Sequence, residues 1–136
     1  MTKKLLEIRL LEPRMAICRL EPGSDLPAWV KGDSFCAITR TDEELSIVCP
    51  QAAVPGSVFC DLGWRCLKIK GPMDLAEIGV LYALARPLAE AEISVFALST
   101  FNTDYLLVKE KDLERAIRVL SQQGHNVEPT GSMGGP

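Results

Sequence analysis

Ile93-Ser94-Val95-Phe96-Ala97-Leu98-Ser99-Thr100-Phe101-Asn102-Thr103-Asp104-Tyr105-Leu106-Leu107-Val108 is the stretch on which the fold turns. Two apolar runs flank a polar knot, Ser99 to Asp104, and short apolar runs bounded by turn-forming residues read as the arms of a hairpin. The knot is rich in hydroxyl, amide and carboxylate groups. On a scaffold of strands, so polar a connection offers hydrogen bonds to a small polar ligand. Ahead of it lies an amphipathic segment opened by Glu77-Ile78-Gly79, and the two elements together suggest a pocket.

Working outward, Ile78, Leu81, Tyr82, Ala85, Leu88 and Ala89 recur at helical spacing, with Pro87 expected to kink or break the helix. After the hairpin, Asp112 is expected to cap a second helix with Leu113, Ala116, Ile117 and Leu120 inward, and Gly124 to stop it in a left-handed conformation. Before the first helix, Trp64 to Lys70 alternates in period two and reads as a half-buried strand stopped by Gly71-Pro72. Further upstream, Met15 to Leu20, Phe35 to Thr39 and Leu45 to Cys49 read as strands, the last two joined by the acidic turn Arg40 to Glu44. Asp25 to Val30 is one helical turn at most, and the prolines between Pro50 and Gly56 allow only a short helix.

The two halves resemble one another. Sliding Ala37–Val48 forward by sixty positions pairs Ala37 with Ala97, Thr39 with Ser99, Glu44 with Asp104 and Val48 with Val108. Each half then reads β-α-β-β-α-β, an α+β, ferredoxin-like arrangement of antiparallel sheet with helices on one face, the first half having shortened helices. The expected division is 1–62 for the first half, 63–127 for the second, and 128–136 for a disordered tail.

Composition limits the function. The chain has 136 residues, 47% of them hydrophobic, enough for one ordinary domain or two very small ones sharing a core. No apolar run approaches the roughly 20 residues that span a bilayer. Met1 to Arg14 soon mixes acidic with basic groups and is no secretory signal, so no membrane association and a cytoplasmic location are expected. Net charge is −3, and no basic run exceeds Lys3-Lys4, which argues against nucleic acid as a partner. Cys18, Cys36, Cys49, Cys60 and Cys66 contain no CxxC pair and, with His125 the sole histidine, no zinc spacing. They are expected to be free thiols acting as small hydrophobes. His125 reads as a surface or edge residue, the alternative being a Cys–His catalytic pair. Without a glycine-rich phosphate loop, Ser–His–Asp spacing or metal set, neither catalysis nor a cofactor is expected.

Pro87-Leu88-Ala89-Glu90-Ala91, followed by Ile93 through Asp104, and the earlier Thr39 through Pro50, carry a resemblance to a known family. The chain resembles small bacterial proteins made of tandem ACT domains, relatives of the ACT modules of aspartate kinase and of the CASTOR-type cytosolic arginine sensors. The resemblance implies a non-enzymatic sensor or regulatory module that binds an amino acid at an interface between domains. Carried onto this chain, the ligand-binding positions are Glu77, Ile78, Gly79 and Val80 at the helix start, faced by Ser99, Thr100, Phe101, Asn102 and Asp104. The family usually has glycine where this chain has Glu92, and a left-handed residue there costs glutamate roughly 1 kcal/mol or more.

The chemistry is consistent with that reading. Free N–H groups at a helix start attract a carboxylate, Thr100 and Asn102 match the polar groups of a zwitterion, and Asp104 or Glu77 can pair with an ammonium or guanidinium. Phe101 can form an apolar or cation–π wall. Simpler readings stand beside these. Gly79 can serve close helix packing, Glu77 and Asp74 can complement the helix dipole, Asn102 to Asp104 can form a turn without a ligand, and Phe101 can be a core contact. A homodimer and a downstream protein partner are expected for a sensor. The competing function is a structural or interaction module whose ancestral pocket is unoccupied.

Overall fold

A computed structural model describes residues 5–30, 35–70 and 79–129. The chain forms two compact units, Met1–Glu12 with Arg65–Pro136 and Pro13–Trp64. Strands β1 (Glu7–Leu20) and β4 (Cys60–Ile69) each contribute residues to both. Strand β1 is longer than the apolar pattern suggested, because Glu12, Pro13 and Arg14 continue it on exposed backbone. Proline cannot donate to a ladder, and Pro13 falls where β1 stops pairing with one strand and starts pairing with another.

In the larger unit the strand order is β7 (Asn126–Pro129), β1, β4, β6 (Asp104–Lys109), β5 (Phe96–Ser99). Strands β5 and β6 form the expected antiparallel hairpin, Phe96 opposite Leu107 and Ser99 opposite Asp104. The final strand runs parallel to β1, Glu7 opposite Asn126, so residues 5–12 belong to this unit and not to the other. Helices α1 (Val80–Glu90) and α2 (Leu113–Gln122) share a core with the sheet, formed by Ile8, Leu67, Ile69, Leu84, Leu88, Leu106, Val108 and Leu120.

The buried stripe of α1 is Val80, Leu84 and Leu88; of the expected face, Leu88 is buried and Leu81 packs partly buried on the same core, whereas Tyr82 and Ala89 are exposed. Tyr82 is 62% exposed and its hydroxyl accepts from Arg86 at 3.1 Å. An alanine-rich helix carries several weakly apolar faces, and the leucines choose among them because they bury more area. Pro87 does not end α1, which continues to Glu90. Asp112 occupies the start of α2 without a side-chain cap, because the 3-10 turn Glu110–Asp112 leads directly into the helix and Leu113 donates to the Glu110 carbonyl. The Asp112 carboxylate instead accepts from Arg115 at 3.1 Å.

Both helices end in the same motif. Ile93 donates to the Leu88 carbonyl at 3.0 Å and Glu92 to Ala89 at 2.9 Å, while His125 donates to Leu120 at 3.2 Å and Gly124 to Ser121 at 2.9 Å. This is the six-to-one, five-to-two pattern of a Schellman cap, whose C′ residue is left-handed. Gly124 has φ 98 and Glu92, the one non-glycine with positive φ among the described residues, has φ 61. Glu92 is exposed, so nothing buried is lost on removing its side chain. Glu92→Gly is expected to stabilise the fold by about 1 kcal/mol, raising the thermal midpoint by roughly 4 °C. A melting curve that is unchanged or shifted downward contradicts this.

In the smaller unit the order is β2 (Ala37–Arg40), β3 (Leu45–Pro50), β1, β4. Its helical content among the described residues is the 3-10 turn Gln51–Ala53, in keeping with shortened helices. Trp29 and Val54 pack against a core of Ala16, Cys18, Leu45, Ile47 and Cys49. The two hairpins correspond at fifty-nine positions, Thr41 onto Thr100, rather than sixty. Thr41 donates its N–H to Glu44 at 2.9 Å, and Thr100 to Thr103 at 2.8 Å. In each turn the threonine Oγ1 also bonds the backbone of the residue three further on. Turn geometry sets hairpin register, and a slip of one residue exchanges the two faces.

Candidate functional site

The candidate site is built around the β5–β6 turn. Ser99 and Asp104 are opposite one another at its base, and the Ser99 hydroxyl donates to Asp104 Oδ1 at 2.7 Å. Thr100 Oγ1 accepts from the Thr103 N–H at 3.3 Å and donates to the Thr103 carbonyl at 3.1 Å, so its hydroxyl closes the turn. Asn102 is exposed at the tip, beside Phe101 at 80% exposure. Phe101 is therefore not a core contact.

Thr103, which the sequence offered only as a turn former, anchors this corner. It is buried, and its hydroxyl donates to the Ile69 carbonyl at 2.7 Å. That bond holds the turn against the last residue of β4, from which the chain runs on to α1. Its sequence signal was a threonine among residues that all favour turns, and burial alone distinguishes it.

Gly79 precedes α1 with φ 82 and no side-chain cap, and a Cβ added there would meet nothing within 4 Å. The glycine therefore serves backbone conformation and open space, not close helix packing. Val80 is buried in the core, so its side chain faces inward and only its backbone can serve a ligand. The first-turn N–H groups of α1 precede the first intrahelical bond, Ala83 to the Gly79 carbonyl at 2.9 Å. Glu77 and Ile78 lie outside the described residues.

Other titratable groups act structurally. His125 is buried, 4% exposed, and its Nδ1 accepts the Leu6 N–H at 3.1 Å. This corrects the expected surface position, because pairing of β7 with β1 draws the residue before β7 into the core. All five cysteines are free thiols. Burial pushes Cys66 up to about 12, the partial opposition coming from Lys68, as befits an inert core thiol. Among the described residues no group of His, Cys, Asp or Glu is placed to hold a metal ion, and no helix is long and apolar enough to cross a membrane.

The sheet, its paired helices and the corner at Thr103 define a small α+β module of ferredoxin-like architecture. The sequence pattern of the ACT domain matches residues 60–122, and that of a separate N-terminal domain matches residues 14–57. A crystal structure of a protein from Agrobacterium tumefaciens is 38% identical, with TM-score 0.88 over 93% of this chain and 95% of that one. The chain belongs to the ACT-domain family. The human cytosolic arginine sensor for mTORC1 subunit 1 is 41% identical over 61 residues, 44% of this chain. The match covers only 18% of that sensor's length. Aspartate kinase from Clostridium acetobutylicum aligns with TM-score 0.63 over 82% of this chain and 33% of that one. At 11% identity that likeness is one of fold alone.

Proposed function

We propose that this chain is a non-enzymatic regulatory module that binds a free amino acid at the corner between the β5–β6 turn and the start of α1. The observation that carries this reading is the buried Thr103–Ile69 bond. It holds the turn bearing Asp104 against the end of the strand leading to Gly79. The ligand carboxylate meets the first N–H groups of α1, and the ammonium meets Asp104. Ser99 occupies one oxygen of the Asp104 carboxylate, which retains acceptor capacity for a second donor. The arginine sensor's name supports an amino acid as the ligand class and the cytoplasm as the setting. A second copy of the chain completes the interface, and a protein partner reads the resulting change in population.

One observation favours the competing reading of an interaction module with an empty pocket: Ser99, Thr100, Thr103 and Asp104 already bond one another. Calorimetric titration of the full chain with each standard amino acid separates the two. Binding by one of them is expected, with Asp104→Ala weakening it about 10- to 100-fold, the worth of a hydrogen bond to a charged group. No heat from any amino acid at millimolar concentration overturns the proposal, and unchanged affinity in the variant removes Asp104 from it. Light scattering on the same samples is expected to give the mass of a dimer.

A further inference from the structure

The cysteines of the smaller unit are not scattered. The β2–β3 register places Ala37 opposite Val48, so Cys36, one residue earlier, faces Cys49. The turn closes with the Thr41 N–H on the Glu44 carbonyl at 2.9 Å. Hydrogen-bonded and non-hydrogen-bonded pairs alternate from there, which makes Cys36 and Cys49 a non-hydrogen-bonded pair. On the other side of the unit, the Arg19 N–H donates to the Phe59 carbonyl at 3.0 Å. Cys18 and Cys60, the next pair along, are again non-hydrogen-bonded. Such pairs have Cα atoms about 4.5 Å apart, within the roughly 4.4–6.8 Å that a disulfide spans. Each pair joins one partly exposed thiol, Cys36 or Cys60, to one buried thiol, Cys49 or Cys18.

We propose that Cys36–Cys49 and Cys18–Cys60 are two cross-strand dithiols that peroxide converts to disulfides, making the smaller unit a site of reversible oxidation. The exposed sulfur attacks one oxygen of hydrogen peroxide, the O–O bond breaks, and hydroxide leaves, giving a sulfenic acid. The buried sulfur then displaces hydroxide from that sulfur and forms the S–S bond. For each bond two thiols are oxidised and one peroxide is reduced to two waters. Burial and the adjacent Cys49 and Cys60 push Cys18 up to about 12, and burial pushes Cys36 and Cys49 up as well. Geometry therefore selects the pairs, and low thiol acidity makes the reaction slow, so the probe is millimolar peroxide. The bonds staple β2 to β3 and β1 to β4 in a unit lacking α-helix among its described residues. Cys66 lies in the other unit and serves as the internal control.

The full chain is incubated with hydrogen peroxide, unfolded, alkylated and digested, and its disulfides are mapped by mass spectrometry. Alkylation of Cys66 alone is expected, with Cys36 joined to Cys49, Cys18 joined to Cys60, and a raised thermal midpoint that reductant reverses. Cys36→Ser is expected to keep the Cys18–Cys60 bond, and Cys60→Ser the Cys36–Cys49 bond. Five alkylated cysteines, a Cys18–Cys49 bond, disulfides between chains, or loss of both bonds in either variant would overturn the proposal.

Discussion

Replacing His125 by alanine is expected to cost about 3 kcal/mol of folding stability and to lower the thermal midpoint by roughly 10 °C. The imidazole is buried, and its Nδ1 accepts the buried N–H of Leu6 at 3.1 Å. Leu6 in turn accepts the Asn126 N–H at 3.0 Å, so one residue of the N-terminal segment is held by both the side chain and the backbone that open β7. Alanine removes the ring volume and leaves an amide donor in the core with no acceptor. A buried donor so orphaned costs about 1–3 kcal/mol, and the cavity adds a comparable amount. Asparagine is the informative companion, because its Oδ1 restores an acceptor near the position of Nδ1 and should recover part of the loss. Equal losses for alanine and asparagine in denaturant melts would assign the effect to volume, and a loss under 1 kcal/mol for alanine would refute the argument.

Gly124→Val is the second large effect, about 2 kcal/mol of destabilisation. Gly124 has φ 98, a conformation in which a β-branched side chain is strained. A Cβ there would lie 2.9 Å from Leu5 Cδ2. Leu5 is exposed, so its side chain can swing aside, and backbone strain sets most of the cost. Glu92→Gly is expected to act with the opposite sign in the same motif on α1. Measured together, the two caps isolate the price of a side chain in the left-handed conformation. If Gly124→Val melts with the parent protein, the cap of α2 is not maintained by its glycine.

Much of this fold was legible because its signals are local. The period-two run at Trp64 to Lys70, the apolar face of Leu113, Ala116 and Leu120, and the stop at Gly124 each arise within a few residues of the element they shape. Glu92 was marked by the family resemblance, which has glycine at that place, rather than by a local signal. The phase of α1 was legible only in part: Leu81 and Leu88 do meet the core, but Tyr82 and the alanines beside them mark a face almost as apolar as that of Val80 and Leu84. The hairpin turn was visible, but its equivalence to the first hairpin was misplaced by one residue. Side-chain likeness favoured sixty, whereas the bonds of Thr41 and Thr100 put the turns fifty-nine apart.

The candidate site divides the same way. Ser99, Thr100 and Asp104 were found by their chemistry, and they meet because adjacent arms of one hairpin bring them together. Thr103 was passed over as a binding position, since its partner Ile69 is remote in sequence and an isolated turn does not show what it will rest against.

The sequence by itself determined the α+β class, the two hairpins, the left-handed stop of α2 at Gly124 and the absence of a metal-ligand spacing, all written in residues a few positions apart. Tertiary structure alone decided that residues 5–12 join the larger unit, that His125 is buried against Leu6, that Thr103 ties a turn to β4, and that four cysteines fall into two facing pairs. Each of these rests on pairing between strands distant along the chain or on the register of that pairing. Such contacts form only after chain entropy has been overcome by burial of the whole core, and no short window of sequence records that outcome.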